Sequence, residues 1–244
     1  MAGTTTTDRG SWNSKLGFIL AAAGSAVGLG NIWKFPYIAG IYGGAAFIIV
    51  YLAFIAIIGF PIMLSEFIIG RNARKNAFGA FKKIAPGTPW ALTGLMGVSA
   101  AFMILAFYSV VAGWSLHYIV ESILNSFADK SPEELDSFFN TFVQSVEKPI
   151  IWQLLFMGLT GFIVHAGIKQ GIEKYTKILM PVLILIIIIL DIRAITLPNA
   201  SKGLNFLFKP DFSKLSAEGV LSALGHAFFS LSLGMGTLIT YGSY

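Results

Sequence analysis

Cysteine is absent from the chain, which has no disulfide framework, no thiolate metal ligand and no thiol nucleophile. Charge is scarce as well: 12% of the residues are Asp, Glu, Lys or Arg, against roughly 25% in an ordinary soluble domain. Histidine is rarer still, at 3 residues, and His117, His165 and His226 show no metal-ligand spacing. Glu66 is the one acid deep inside an apolar run, with no second acid beside it and no His–Glu metal motif. Intramembrane proteolysis or other metal- or acid-based hydrolysis therefore finds no machinery here.

What is abundant is hydrophobic sequence, 55% of the chain with a mean hydropathy of +0.74. A bilayer core of about 30 Å needs ~20 apolar residues per helix. Six runs qualify, at 14–41, 45–70, 93–126, 150–168, 176–197 and 219–244. They predict an all-α membrane protein forming a single transmembrane domain over 1–244. The N-terminal "MAGTTTTDRGSWNSK" is too polar to read as a cleavable signal peptide. The formal charge of +5 would suggest nucleic acid in a soluble protein. In a membrane protein it reports topology instead, and no nucleic-acid partner is expected.

Arg71, Arg74, Lys75, Lys82 and Lys83 crowd the segment 71–92, which has no acid. Segment 127–149 is acidic, and 169–177 is basic again with Lys169, Lys174 and Lys177 against Glu173. Positive-inside counting then places both termini of the chain in the cytoplasm and the loops 127–149 and 198–218 outside.

Two segments break the pattern. "GSAVGLGNIWKFPY", residues 24–37, puts three glycines, an asparagine, a lysine and a proline where a helix should cross the bilayer. The sixth segment carries Ser230, Ser232, Gly234 and Gly236 in its middle. Freed backbone groups find no partners in lipid, so such breaks survive only when buried in protein or lining a wet cavity. Paired Gly-interrupted segments in corresponding positions are the mark of a transporter's substrate and ion site. Plainer readings exist for each residue. "GSAVG" suits close helix packing, Ser230 and Ser232 suit bonds back to their own helix, and Tyr108 suits a core or interface. Trp90, Trp114 and Trp152 suit interfacial belts.

"GSAVGLGNIWKFPY", "YGGAAF", "GFPIMLSEFIIGR", "AFYSVVAGW" and "FFSLSLGMGTLITYGSY", in this order along nearly the whole chain, resemble the neurotransmitter:sodium symporter family, in its bacterial amino-acid branch. The resemblance implies a LeuT-type inverted-repeat fold with the first and sixth helices unwound at mid-membrane. The chain would supply the first repeat and the opening helix of the second, the remaining C-terminal helices lying in the same or another chain.

It also implies roles. The Ala26 carbonyl, the Asn31 side chain and Ser230 would bind one Na+ beside the substrate, and the Gly24 and Val27 carbonyls would contribute to a second. Leu29 and Gly30 backbone with the Tyr108 hydroxyl would hold the substrate carboxylate. Carbonyls around Phe229 and Ser232 would meet its amino group. Gly28 stands where monoamine members carry an aspartate, which indicates an amino acid bringing its own carboxylate. Ile104, Tyr108, Phe229 and Met235 would line the side-chain pocket, and a flexible Met there suggests a large apolar or aromatic substrate. Lys34 and His226 would belong to an outer gate, with Lys34 replacing the usual arginine. Arg9, Trp12 and Tyr244 would belong to an inner gate. Glu66 would brace the unwound first helix. Gly171 and Pro181, with nine residues between, match a spacing that lets the cytoplasmic end of the fifth helix unwind. The resulting expectation is sodium-coupled symport of a neutral amino acid by alternating access. The alternative is a non-transporting fragment or split-transporter subunit acting as a structural or regulatory helix bundle.

Overall fold

The structure, a computed structural model, describes residues 11–244; Arg9 lies outside the described residues. It is helical, with no strand among the described residues. The first apolar run folds as α1 (Lys15–Ala26) and α2 (Gly30–Ile41), bent by 48° at the break between them. Then follow α3 (Ala45–Ala73), α4 (Ala77–Ile84), α5 (Ala91–Ile123), α6 (Pro132–Gln144), α7 (Glu147–His165) and α8 (Ile168–Ile195). The chain closes with α9 (Ala200–Phe208), α10 (Ala217–Ser230) and α11 (Thr237–Gly242). Among the described residues four helices are long and apolar enough to cross a membrane, α3, α5, α7 and α8, and the bent pair α1–α2 makes a fifth span. The sixth run forms two helices, α10 and α11, separated by Leu231–Gly236.

Several boundaries differ from those read in the sequence, and each difference has a local cause. The second run continues to Ala73, where Arg74 in the left-handed region (φ 50°) ends the helix. The third stops at Ile123, short of 126, with Asn125 left-handed at φ 58°. The fourth runs over Glu147–His165, ahead of 150–168, with Gly167 (φ 78°) turning the chain after it. The fifth starts early, at Ile168, because a wide π turn (Ile168–Glu173) precedes Lys174. The loops hold helices of their own. Helix α6 begins at a capping box in which Ser131 and Glu134 exchange bonds across Pro132. That N-terminus, with the Ser131 hydroxyl, holds the Glu133 carboxyl below its ordinary value. Helix α4 is capped by the Asn76 side chain, which accepts from Gly79 N–H.

The chain divides into two compact units, one of residues up to Val98 with Ile168–Tyr244, the other of Ser99–Gly167. In the first unit, Ala39, Phe47, Tyr51, Ala223 and Ala227 form a core between α2, α3 and α10. Phe35 packs on it, its ring 4.7 Å from Tyr51. A second cluster, Ala73, Ala77, Ala80 and Ile239, joins α3, α4 and α11. Small residues let these helices touch: a Cβ on Gly70 would overlap the Ile239 carbonyl. In the second unit His117 stacks on Phe142 at 4.1 Å, with Trp152 and Tyr118 beside it. The histidine and Trp152 therefore sit in an aromatic cluster. Gln153 donates to the Ser109 hydroxyl at 3.0 Å, tying α7 to α5.

Candidate cation and substrate site

Helix α1 ends because Val27 turns extended (φ −96°, ψ 96°), its N–H still bonded to the Ala23 carbonyl. The Gly28 carbonyl then accepts from Asn31 N–H at 3.0 Å and Ile32 N–H at 3.3 Å, and α2 resumes with a π turn over Gly30–Lys34. The Asn31 amide donates to the Ala26 carbonyl at 3.0 Å, an oxygen that the unwinding has freed. Its own Oδ1 accepts from Ser230 Oγ at 3.1 Å. Ser230 is the last residue of α10 and is 4% exposed. Three of the residues expected at one sodium are thus joined in a single chain of hydrogen bonds running between the two breaks.

The sixth segment breaks differently. Ser232 (φ 54°), Gly234 (φ 75°) and Gly236 (φ 74°) all take left-handed backbone between α10 and α11. The Ser232 hydroxyl donates to the Ser25 carbonyl at 3.0 Å and lies 3.1 Å from the Ser25 hydroxyl. Both serines therefore bond to the first broken segment, and neither bonds back to its own helix in the way lone membrane serines often do. The Gly234 N–H donates to Glu66 Oε1 at 2.7 Å. Glu66 is 7% exposed, and its Oε2 is buried without a partner among the described residues. Glu66 is expected to brace the first helix; the hydrogen bond its carboxylate makes here runs to the sixth break. The left-handed turn at Gly234 points its N–H at α3, so the carboxylate braces the sixth break. A cavity of about 70 Å³ opens beside it, lined by Gly94, Gly97, Gly234 and Gly236.

The other predicted residues fall around these breaks or outside them. Gly24 faces Met180 and Thr176 on α8. Leu29 is helical in backbone and Gly30 is buried. Phe229 and Met235 are half-buried on either side of Ser230–Gly234. Lys34 is exposed, and His226, buried in α10, sets its ring edge-on to Phe35 at 5.9 Å. Trp12 donates from Nε1 to the Tyr241 carbonyl at 3.0 Å and packs edge-on against Tyr241 and Phe18. Tyr244 follows α11. Ile104 and Tyr108 lie half-buried on α5 in the second unit.

The donor set suits the expected ion. The Ala26 carbonyl, Asn31 amide oxygen and Ser230 hydroxyl are hard, neutral oxygens, which fit a small monovalent cation better than a transition metal. Among the described residues no cluster of His, Asp and Glu is built for a metal. Ser25 was missed by sequence reading. It sits inside "GSAVG", where a small residue reads as packing, and its carbonyl and hydroxyl both meet the Ser232 hydroxyl across the two breaks.

The family profile described as Sodium:neurotransmitter symporter family matches residues 9–141 and 138–244. The chain belongs to the sodium:neurotransmitter symporter family. It is 46% identical over 233 residues to the uncharacterized sodium-dependent transporter YhdH of Bacillus subtilis, covering 96% of this chain and 52% of the relative. It is 33% identical over 270 residues to the rat sodium-dependent neutral amino acid transporter B(0)AT3, covering 97% and 43%. Among solved structures, MhsT in complex with L-phenylalanine superposes with a TM-score of 0.90 at 54% identity, over 97% of this chain and 54% of that one. The chain thus spans about half the length of these relatives. Its fold is the LeuT-type fold of the family through the sixth helix, with the first and sixth helices broken. As a family member with five spans of sufficient length, it is a multi-pass membrane protein, and the family and these relatives are transporters, not enzymes.

Proposed function

We propose that this chain forms the first six membrane helices of a sodium-coupled symporter for a neutral amino acid. The observation that carries the reading is the hydrogen-bonded junction of the two breaks, Ala26 to Asn31 to Ser230 and Ser25 to Ser232. Na+ takes the oxygens of Ala26, Asn31 and Ser230, and a second Na+ draws on the Gly24 and Val27 carbonyls. The substrate carboxylate meets the amides near Leu29 and Gly30, at the start of a helix, where the dipole favours an anion, and the Tyr108 hydroxyl. The amino group meets carbonyls around Phe229 and Ser232. Gly28 leaves room for a substrate that brings its own carboxylate. Ion and carboxylate share one site, so each raises the other's affinity by the same factor. Alternating access follows as the broken helices rock between an outer gate at Lys34 and His226 and an inner gate at Arg9, Trp12 and Tyr244. Glu66 holds the sixth break in shape while this happens.

Ile104, Phe229 and Met235 shape the side-chain pocket, and the methionine favours a large apolar or aromatic substrate; the phenylalanine bound to MhsT supports that choice. The remaining helices, in the same or another chain, complete the sodium sites, with the protein in the cell membrane and the termini of this chain in the cytoplasm. A second reading is a non-transporting fragment or split-transporter subunit that acts as a structural or regulatory helix bundle.

Binding of labelled L-phenylalanine in NaCl and in KCl, to this chain and to a version extended to the relatives' length, tests both. Sodium-dependent binding to the longer protein is the expected result, and binding by the shorter one decides whether the half-site suffices. Alanine outcompeting tryptophan and tyrosine overturns the large-substrate choice. Binding by neither, with both folded, overturns the amino-acid reading.

A further inference from the structure

Glu173 is 1% exposed at the start of α8, a setting that no ionised carboxylate tolerates without full hydrogen bonding and a counter-charge. It accepts from the Asn13 backbone N–H at 2.7 Å, the Ser14 hydroxyl at 3.2 Å and Lys177 Nζ at 2.6 Å. Ser14 is itself the N-cap of α1, its oxygen accepting from Gly17 N–H at 3.0 Å. Gly17 lies so close that a Cβ would overlap the Glu173 carboxyl group.

These bonds divide into two kinds. Lys177 is one turn along the same helix, so that ion pair travels with Glu173. The bonds from Asn13 and Ser14 join α8 to α1, and they alone break when the helices part. Separation therefore costs two charge-assisted hydrogen bonds but never leaves the carboxylate without its counter-charge. Farther along the seam, a Cβ on Gly24 would lie 3.4 Å from Met180 Sδ and 3.6 Å from Thr176 Cγ2. Gly17 to Gly24 is the same spacing as Glu173 to Met180, so α1 and α8 run parallel and in register. The Gly24, Ala26 and Val27 carbonyls stand at the far end of that seam.

We infer that Glu173 is a positioning residue for the cation site, fixing the register of α1 on α8 through Asn13 and Ser14. The inference rests on the sodium reading proposed above. Loss of the grip lets α1 leave α8, and the carbonyls at its end lose their place.

The chain has no cysteine, so Thr176→Cys makes a single reporter on this seam. The native Thr176 hydroxyl bonds to its own helix, at the Ile172 carbonyl, so the change is mild. A membrane-impermeant maleimide is applied to inverted vesicles carrying the full chain, in NaCl or in N-methylglucamine chloride. NaCl is expected to slow labelling. Glu173→Gln is expected to raise the rate in N-methylglucamine by about tenfold, the loss of roughly one charge-assisted bond, and to raise the NaCl concentration needed for protection. Ser14→Ala, which spares the buried ion pair, is expected to shift both in the same direction by less, and it serves if Glu173→Gln fails to insert. Equal rates in parent and variants overturn the positioning role. Faster labelling with an unchanged NaCl requirement overturns it too, since Glu173 then only holds the fold. Faster labelling of the variants with no response to NaCl in any background supports the latch and overturns the sodium reading.

Discussion

The two broken helices solve one problem by different means. In the first break none of Val27, Gly28, Leu29 and Gly30 takes a positive φ. One extended residue interrupts the ladder, and the Asn31 side chain and a π turn gather up the freed groups. In the sixth, three left-handed residues follow in alternation, Ser232, Gly234 and Gly236. Only glycine adopts that region without steric cost, and its freed amide is taken by Glu66 from another helix. The first break depends on side chains that substitute for helical bonds, the sixth on backbone freedom and on what is pressed against it.

The largest effect expected from breaking this contrast is at Gly236. Alanine there must hold φ 74° and would drive its Cβ into that of Ala77. Left-handed backbone alone costs a non-glycine about 1–2 kcal/mol, so Gly236→Ala should lower the midpoint of thermal unfolding in detergent more than Gly234→Ala, whose Cβ meets open space. Equal losses would show that the Ala77 contact does not matter. Next comes Asn31→Ala, which removes the bonds to Ala26 and from Ser230. Labelled-sodium binding should weaken by about tenfold or more, the worth of one lost charge-assisted contact, and the two lost bonds should lower stability by about 1–3 kcal/mol. Glu66→Ala removes the carboxylate that accepts from the Gly234 N–H, a loss of about 1.5–3 kcal/mol for a bond to a charged group. Denaturant titration should show it, whereas Glu66→Gln, which keeps an acceptor, should lose less.

Smaller still is Ser25→Ala. It removes one hydroxyl contact but leaves Ser232 its bond to the Ser25 carbonyl, so stability should fall by about 0.5–1.5 kcal/mol. The smallest effect lies outside the membrane. Bonds from the Ser213 hydroxyl and amide hold the Asp211 carboxyl below its ordinary value. A depressed folded pKa gives stability that is present above the ordinary carboxylate range and lost as pH falls through the depressed value. The protection factors of the Phe212–Lys214 amides, with the intrinsic pH dependence of exchange divided out, should therefore fall on acidification, and Asp211→Asn should abolish that fall.

Much of this was legible in residue order. Long apolar runs divided by basic and acidic loops announce a multi-pass helical protein, and a lysine, an asparagine and glycines at bilayer depth announce two breaks. The short helices α4, α6 and α9 are hidden in segments whose charge dominates the pattern, with only single residues such as Asn76 and Ser131 to cap α4 and α6. Ser25 and Glu173 were hidden for a stronger reason. A serine beside glycine reads as packing, and an acid among lysines reads as loop charge. Each acquires its role only from a partner more than a hundred residues away.

The sequence by itself determined that the chain crosses a membrane and that its first and sixth spans cannot be continuous helices. Hydrophobic length and glycine placement act locally, so they show in any window of residues. Tertiary structure alone decided where the freed groups go. Asn31 meets Ser230, Ser25 meets Ser232, Gly234 meets Glu66, and Glu173 grips the start of α1. A buried polar group must find a partner, but which one it finds depends on the helices that packing brings alongside.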